Sequence, residues 1–115
     1  KVWAVADFGF IHNLNGAENQ MEGGIIDGIS QLFNAKITFN NGVIQQQNFH
    51  QYPLVRMPQA PELEVAFLEP EEFSPTGGGE PSMPPVLAAV TNAIYNATGE
   101  RIRKMPLFES GYKLV

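Results

Sequence analysis

The spacing of apolar positions changes along the chain, and the changes mark out its elements. Val2 to Phe10 is an apolar run with β-branched and aromatic residues, which predicts a buried strand. His12-Asn13-Leu14-Asn15-Gly16 has turn chemistry. From Ala17 to Ala35 the apolar residues Met21, Ile25, Ile29 and Leu32 recur at three- and four-residue steps, widened by Ile26 and Phe33, and predict an amphipathic helix. Gly23, Gly24 and Gly28 interrupt it at roughly 1 kcal/mol each relative to alanine, which suggests that another backbone or a ligand comes close there. Lys36–Asn40 and Val43–Asn48 read as short strands joined at Asn40-Asn41-Gly42, a strong hairpin signal. Phe49 to Pro61 is irregular, with Pro53, Pro58 and Pro61. Leu63 to Leu68 alternates as another strand, and Glu69 to Glu80 is a long loop rich in Pro, Gly and Glu. Ser82 is placed to cap a second helix whose first turn tolerates Pro84 and Pro85. Its apolar face is Val86, Val90, Ala93, Ile94 and Ala97, and Gly99 ends it. Ile102 to Leu107 is expected to form a last short strand.

These elements predict an α+β domain over residues 1–107, with 108–115 as a tail. The expected architecture is a small mixed sheet of about four or five strands, with two helices packed mainly on one face. With 115 residues and 43% hydrophobic content, one domain with a real core is expected. A net charge of -5 repels a phosphate backbone, and the seven Lys and Arg form no basic stripe, so no nucleic-acid partner is expected. The absence of cysteine excludes disulfides, thiolate metal sites and iron–sulfur ligation within this chain. No apolar run approaches the ~20 residues of a membrane helix. The opening residue is Lys1 rather than methionine, a first hint of a fragment or a processed product.

Most active-site templates are missing. Gly-x-Ser-x-Gly and P-loop signatures do not occur, and His12 and His50 have no helical ligand spacing, so they read as loop histidines with local hydrogen bonds. Two segments stand out. Gln20-Met21-Glu22-Gly23-Gly24 near the start of the first helix could bring amides to an anion or let a bulky ligand approach. The plain alternative is that small residues let the helix pack on the sheet. Thr76-Gly77-Gly78-Gly79-Glu80-Pro81 offers an adaptable loop of amides that ends in a carboxylate suited to general-base work. The plain alternative is a surface loop with a solvated glutamate.

Taken together and in order, the segments resemble a known family. Asn19-Gln20-Met21-Glu22-Gly23-Gly24-Ile25-Ile26-Asp27-Gly28 is similar to the Gln-x-Glu-Gly-Gly helix of the xanthine dehydrogenase and aldehyde oxidase superfamily. Asn48-Phe49-His50-Gln51-Tyr52-Pro53-Leu54-Val55-Arg56 resembles its Asn-Phe-x-x-Tyr-x-x-x-Arg segment. Gly79-Glu80-Pro81, followed by Pro84, resembles its Gly-x-Gly-Glu-Pro signature, and Ala97 to Arg103 continues the match. The resemblance covers about residues 2–107 and is strongest to the isoquinoline oxidoreductase beta subunit branch.

The resemblance implies a C-terminal part of a large subunit that holds molybdenum on a pterin, commonly molybdopterin cytosine dinucleotide. Such enzymes hydroxylate N-heteroaromatics or oxidise aldehydes with water as oxygen donor. It implies Glu80 as catalytic base, Gln20 as a hydrogen bond to the cofactor, and Gly77, Gly78 and Gly79 as amides lining the site. The family more often has valine where Gly78 stands. Tyr52 and Arg56 are expected to pack near the site. The implied partners are the rest of the large subunit, an iron–sulfur small subunit and a small-molecule substrate. The isolated chain is then expected to be inactive and to self-associate through an exposed interdomain surface. The alternative is a free-standing, non-catalytic binding or remnant domain.

Overall fold

The computed structural model describes residues 1–69 and 74–115, so residues 70–73 of the long loop lie outside the described residues. Strand β1, Val2–Ala6, is followed by helix α1, Leu14–Asn34, and by the short strands β2, Phe39–Asn40, and β3, Val43–Ile44. Strand β4, Leu63–Phe67, and helix α2, Met83–Thr98, complete the regular elements, with 3-10 turns at Phe49–Gln51, Met57–Gln59 and Leu107–Ser110.

The α+β reading and the two helices hold, but the four strands form two separate two-stranded ladders rather than one mixed sheet. β1 pairs parallel with β4 in the register Val2↔Leu63 to Ala6↔Phe67. Alternation sends Val2, Ala4, Leu63 and Val65 onto a core of Ile25, Ile29 and Val86. The other face stays open: Trp3 is 68% and Val5 65% exposed, so β1 is half-buried, not buried as its composition suggested. The strand also ends at Ala6 rather than Phe10. The Asp7 carboxylate accepts the Gly9 N–H at 2.9 Å, and Gly9 adopts φ +62°, so an Asp-x-Gly turn cuts the run.

β2 and β3 form the expected hairpin, with Asn41 at φ 49° and Gly42 at φ 80°. The strands are two residues long because glutamine side chains take over their ladder. The Gln46 side-chain oxygen accepts from Thr38 N–H at 2.7 Å, and the Gln51 oxygen accepts from Gln47 N–H at 2.9 Å.

Helix α1 begins three residues earlier than its apolar period indicated, because the Asn13 side chain accepts from Gly16 N–H at 3.0 Å and caps it. Met21, Ile25, Ile29 and Leu32 are its buried stripe, as the spacing predicts. Helix α2 ends at Gly99 in the left-handed region, also as expected. Ser82 stands at its N-cap but makes no side-chain cap hydrogen bond; it is instead buried against α1. Ala93 and Ala97, expected on the packed face of α2, are exposed. The expected strand Ile102–Leu107 does not form. Pro106 lacks the N–H a ladder needs, and Leu107, fully buried, opens a 3-10 turn instead. In the expected tail, Leu114 packs on the core and the Tyr112 hydroxyl donates to Glu100.

Candidate functional site

Two loops meet the first turns of α1. One runs from β1 through Phe8 to Asn13, and the other covers residues 74–81 before α2. They fit tightly. A Cβ on Gly9 would lie 1.9 Å from the Ser74 carbonyl oxygen, so only glycine permits this approach. Thr76 N–H donates to the Phe8 carbonyl at 3.0 Å. Gly78 lies against the Phe8 ring, where a Cβ would come within 2.5 Å, so Phe8 fills the space that a side chain at 78 would need.

Gln20 closes the arrangement. Gly16 and Gln20 are one turn apart and share a face of α1. The Gln20 side-chain N–H donates to the Gly79 carbonyl at 2.7 Å, joining segments 59 residues apart in sequence. After Gly79 the chain turns into α2: Met83 N–H donates to the Glu80 carbonyl at 3.2 Å, and the buried Ser82 rests on Gly24. The loops and α1 enclose a cavity of about 370 Å³ walled by Phe8, Phe10, His12, Gln20, Gly77 and Gly79, among others.

The geometry thus brings Gln20, Gly77, Gly78 and Gly79 to one wall. Glu80 is exposed, and the wall ends at Gly79 beside it. The Gln20–Gly24 segment does not begin the helix: it occupies interior turns, so the amides at the helix start belong to Leu14 and its neighbours. Two of the three helix glycines serve helix packing, on α2 rather than on the sheet. A Cβ on Gly24 would meet Ser82 Oγ at 2.0 Å, and one on Gly28 would meet the Met83 carbonyl at 3.0 Å. Gly23 faces open space. Tyr52 and Arg56 do not line this cavity. Their segment is pinned where Val55 N–H donates to Ser30 Oγ at 2.7 Å, about 15 Å further along α1 at ~1.5 Å rise per residue. Phe8, Phe10 and His12 also line the cavity, although no site motif in the sequence includes them. The Asp7-x-Gly9 turn, which swings them towards α1, was the signal in the sequence.

The residues present suit the edge of a pterin-type group. A Cβ at Gly77 or Gly79 would meet nothing, which leaves their backbone open to a ligand, and Gln20 adds a side-chain amide. Among the described residues no three His, Asp or Glu side chains are grouped so as to hold a metal ion.

Comparison with known proteins identifies the family of the chain. The profile of the molybdopterin cofactor-binding domain matches residues 1–61, the part that contains β1, α1 and Gln20. The isoquinoline 1-oxidoreductase subunit beta of Brevundimonas diminuta is 34% identical over 107 residues, covering 93% of this chain and 14% of the relative. The xanthine dehydrogenase molybdenum-binding subunit of Escherichia coli O157:H7 is 39% identical over 113 residues, covering 93% of this chain and 15% of the relative. The crystal structure of quinoline 2-oxidoreductase from Pseudomonas putida 86 superposes with a TM-score of 0.78 at 26% identity, over 91% of this chain and 14% of that one. The chain thus spans only 14% to 15% of the length of these relatives. With a family profile matching more than half its length and a fold that superposes on these enzymes, the chain belongs to the molybdopterin cofactor-binding domain family of the molybdenum hydroxylases.

Proposed function

We propose that this chain works as a C-terminal part of a molybdenum hydroxylase large subunit, where Glu80 is the catalytic base and Gln20 with Gly77, Gly78 and Gly79 forms part of a molybdopterin cytosine dinucleotide site. One observation carries this reading. The 2.7 Å hydrogen bond from Gln20 to Gly79 unites two motifs that are distant in sequence and sets Glu80 beside their junction. When bound, the molybdenum–pterin group supplies the electron acceptor for oxidising the substrate carbon, with water as oxygen source. Glu80, at a carboxylate oxygen, takes the proton that the attacking oxygen gives up. Gln20 and the glycine amides orient the bound group by hydrogen bonding. The substrate class is an N-heteroaromatic ring or an aldehyde, in keeping with the names of the relatives. The remainder of the large subunit covers the open face of β1 and the apolar groove of about 520 Å³ between β1 and α2. An iron–sulfur subunit carries the electrons away; this chain holds no cysteine to ligate such a cluster itself.

The exposure of Glu80 in the chain alone favours a second reading, a non-catalytic binding or remnant domain. Glu80→Ala in the full-length subunit separates the two. Turnover should fall by about 10²- to 10⁴-fold, the usual range for removing a general base, with molybdenum and nucleotide content unchanged. Full turnover in that variant refutes the assigned role.

A further inference from the structure

Little in the loop itself holds Glu80. Gly77, at φ 86°, and Gly79 have no neighbour where a side chain would stand, so no side-chain packing holds either of them. Upstream, the loop is fastened by Thr76 on Phe8; downstream, by Met83 on the Glu80 carbonyl. Between these points the directional tie is Gln20. It binds the Gly79 carbonyl, and that oxygen lies in the same rigid peptide plane as the nitrogen and Cα of Glu80. Fixing the plane fixes the point from which the carboxylate starts.

We propose that Gln20 is a positioning residue for Glu80: its side-chain N–H holds the Gly79–Glu80 peptide and so sets where the carboxylate lies. This rests on the reading of Glu80 as the base and adds to Gln20 a task distinct from cofactor binding. Gln20 spends one N–H on the loop and keeps its second N–H and its oxygen for other partners.

The test uses the full-length, cofactor-loaded enzyme. Gln20→Glu keeps the length of the side chain but replaces the donor with an oxygen that repels the Gly79 carbonyl. Gln20→Ala removes both. Each should lower kcat, counted per bound molybdenum, by about 10- to 100-fold, the scale of a displaced catalytic group, while KM stays unchanged. A crystal structure of Gln20→Ala should show the Gly79–Glu80 peptide turned from its present orientation. Titratable groups on the surrounding elements are Asp7 and His12 before α1 and Glu18, Glu22 and Asp27 on it; the first turn of α2 carries no acidic residue. Gln20→Glu adds a like charge beside Glu80, so the acid limb of kcat/KM should move to higher pH; Gln20→Ala should not move it that way. In a Glu80→Asp background, Gln20→Ala should cost less than it does alone, because both changes act on one group. Wild-type kcat in both Gln20 variants, with Glu80→Ala inactive, overturns the positioning role and leaves the base in place. Loss of molybdenum or nucleotide from the Gln20 variants, with kcat per bound molybdenum at the wild-type value, overturns it in favour of cofactor binding alone. Full turnover in Glu80→Ala overturns both readings together.

Discussion

Gly23 and Gly24 are adjacent in sequence and opposite in environment. A Cβ at Gly23 meets nothing, whereas at Gly24 it lands 2.0 Å from Ser82 Oγ, where α1 and α2 touch. Gly23→Ala should therefore stabilise the fold by about 1 kcal/mol through helix propensity. Gly24→Ala should destabilise it by about 1–3 kcal/mol through overpacking. Urea denaturation of the two variants checks this, and changes of the same sign would contradict the packing assigned to Gly24. Gly78 shows the same logic between loops. A side chain here would find its space already occupied by Phe8. The sequence marks these positions only as glycines; which one lacks room is a property of the partner surface.

At the scale of elements, local signals are legible in the sequence where local forces decide. The stripe of α1, the Asn41-Gly42 turn and the Gly99 stop follow from side-chain period and backbone freedom, and all three occur. Element ends are less legible, because side chains compete for backbone groups: Asn13 lengthens α1, Asp7 shortens β1, and Gln46 and Gln51 cut back the hairpin. Tyr112 belongs here too. Its hydroxyl donates to Glu100 at 2.7 Å, a bond that holds the phenol above its ordinary pKa of 10.0. The bonded form is the protonated one, so this tie is complete below the ordinary phenol pKa and is lost as pH rises through the raised value. Absorbance titration should show one tyrosine ionising above 10.0 that is absent from Tyr112→Phe. If the missing transition lies at or below that value, the tie to Glu100 is not made.

At the scale of the whole molecule, the chain leaves apolar surface in the open. Trp3 and Val5 are exposed on β1, which among the described residues pairs only with β4, and an apolar groove runs between β1 and α2. An open strand edge beside an apolar face invites association. The isolated chain should therefore self-associate as its concentration rises, and Trp3→Glu with Val5→Lys should return it to a monomer, as measured by sedimentation. A wild-type chain that stays monomeric throughout contradicts this. The sequence by itself determined the helices, the hairpin turn and the motifs that carry the family resemblance, because each depends on residues within a few positions of one another. It could not show that β1 and β4 pair apart from the hairpin, that β1 is covered on one face only, or that Gln20 reaches Gly79. Those depend on surfaces brought together from far along the chain, and only the packed structure decides which of them meet.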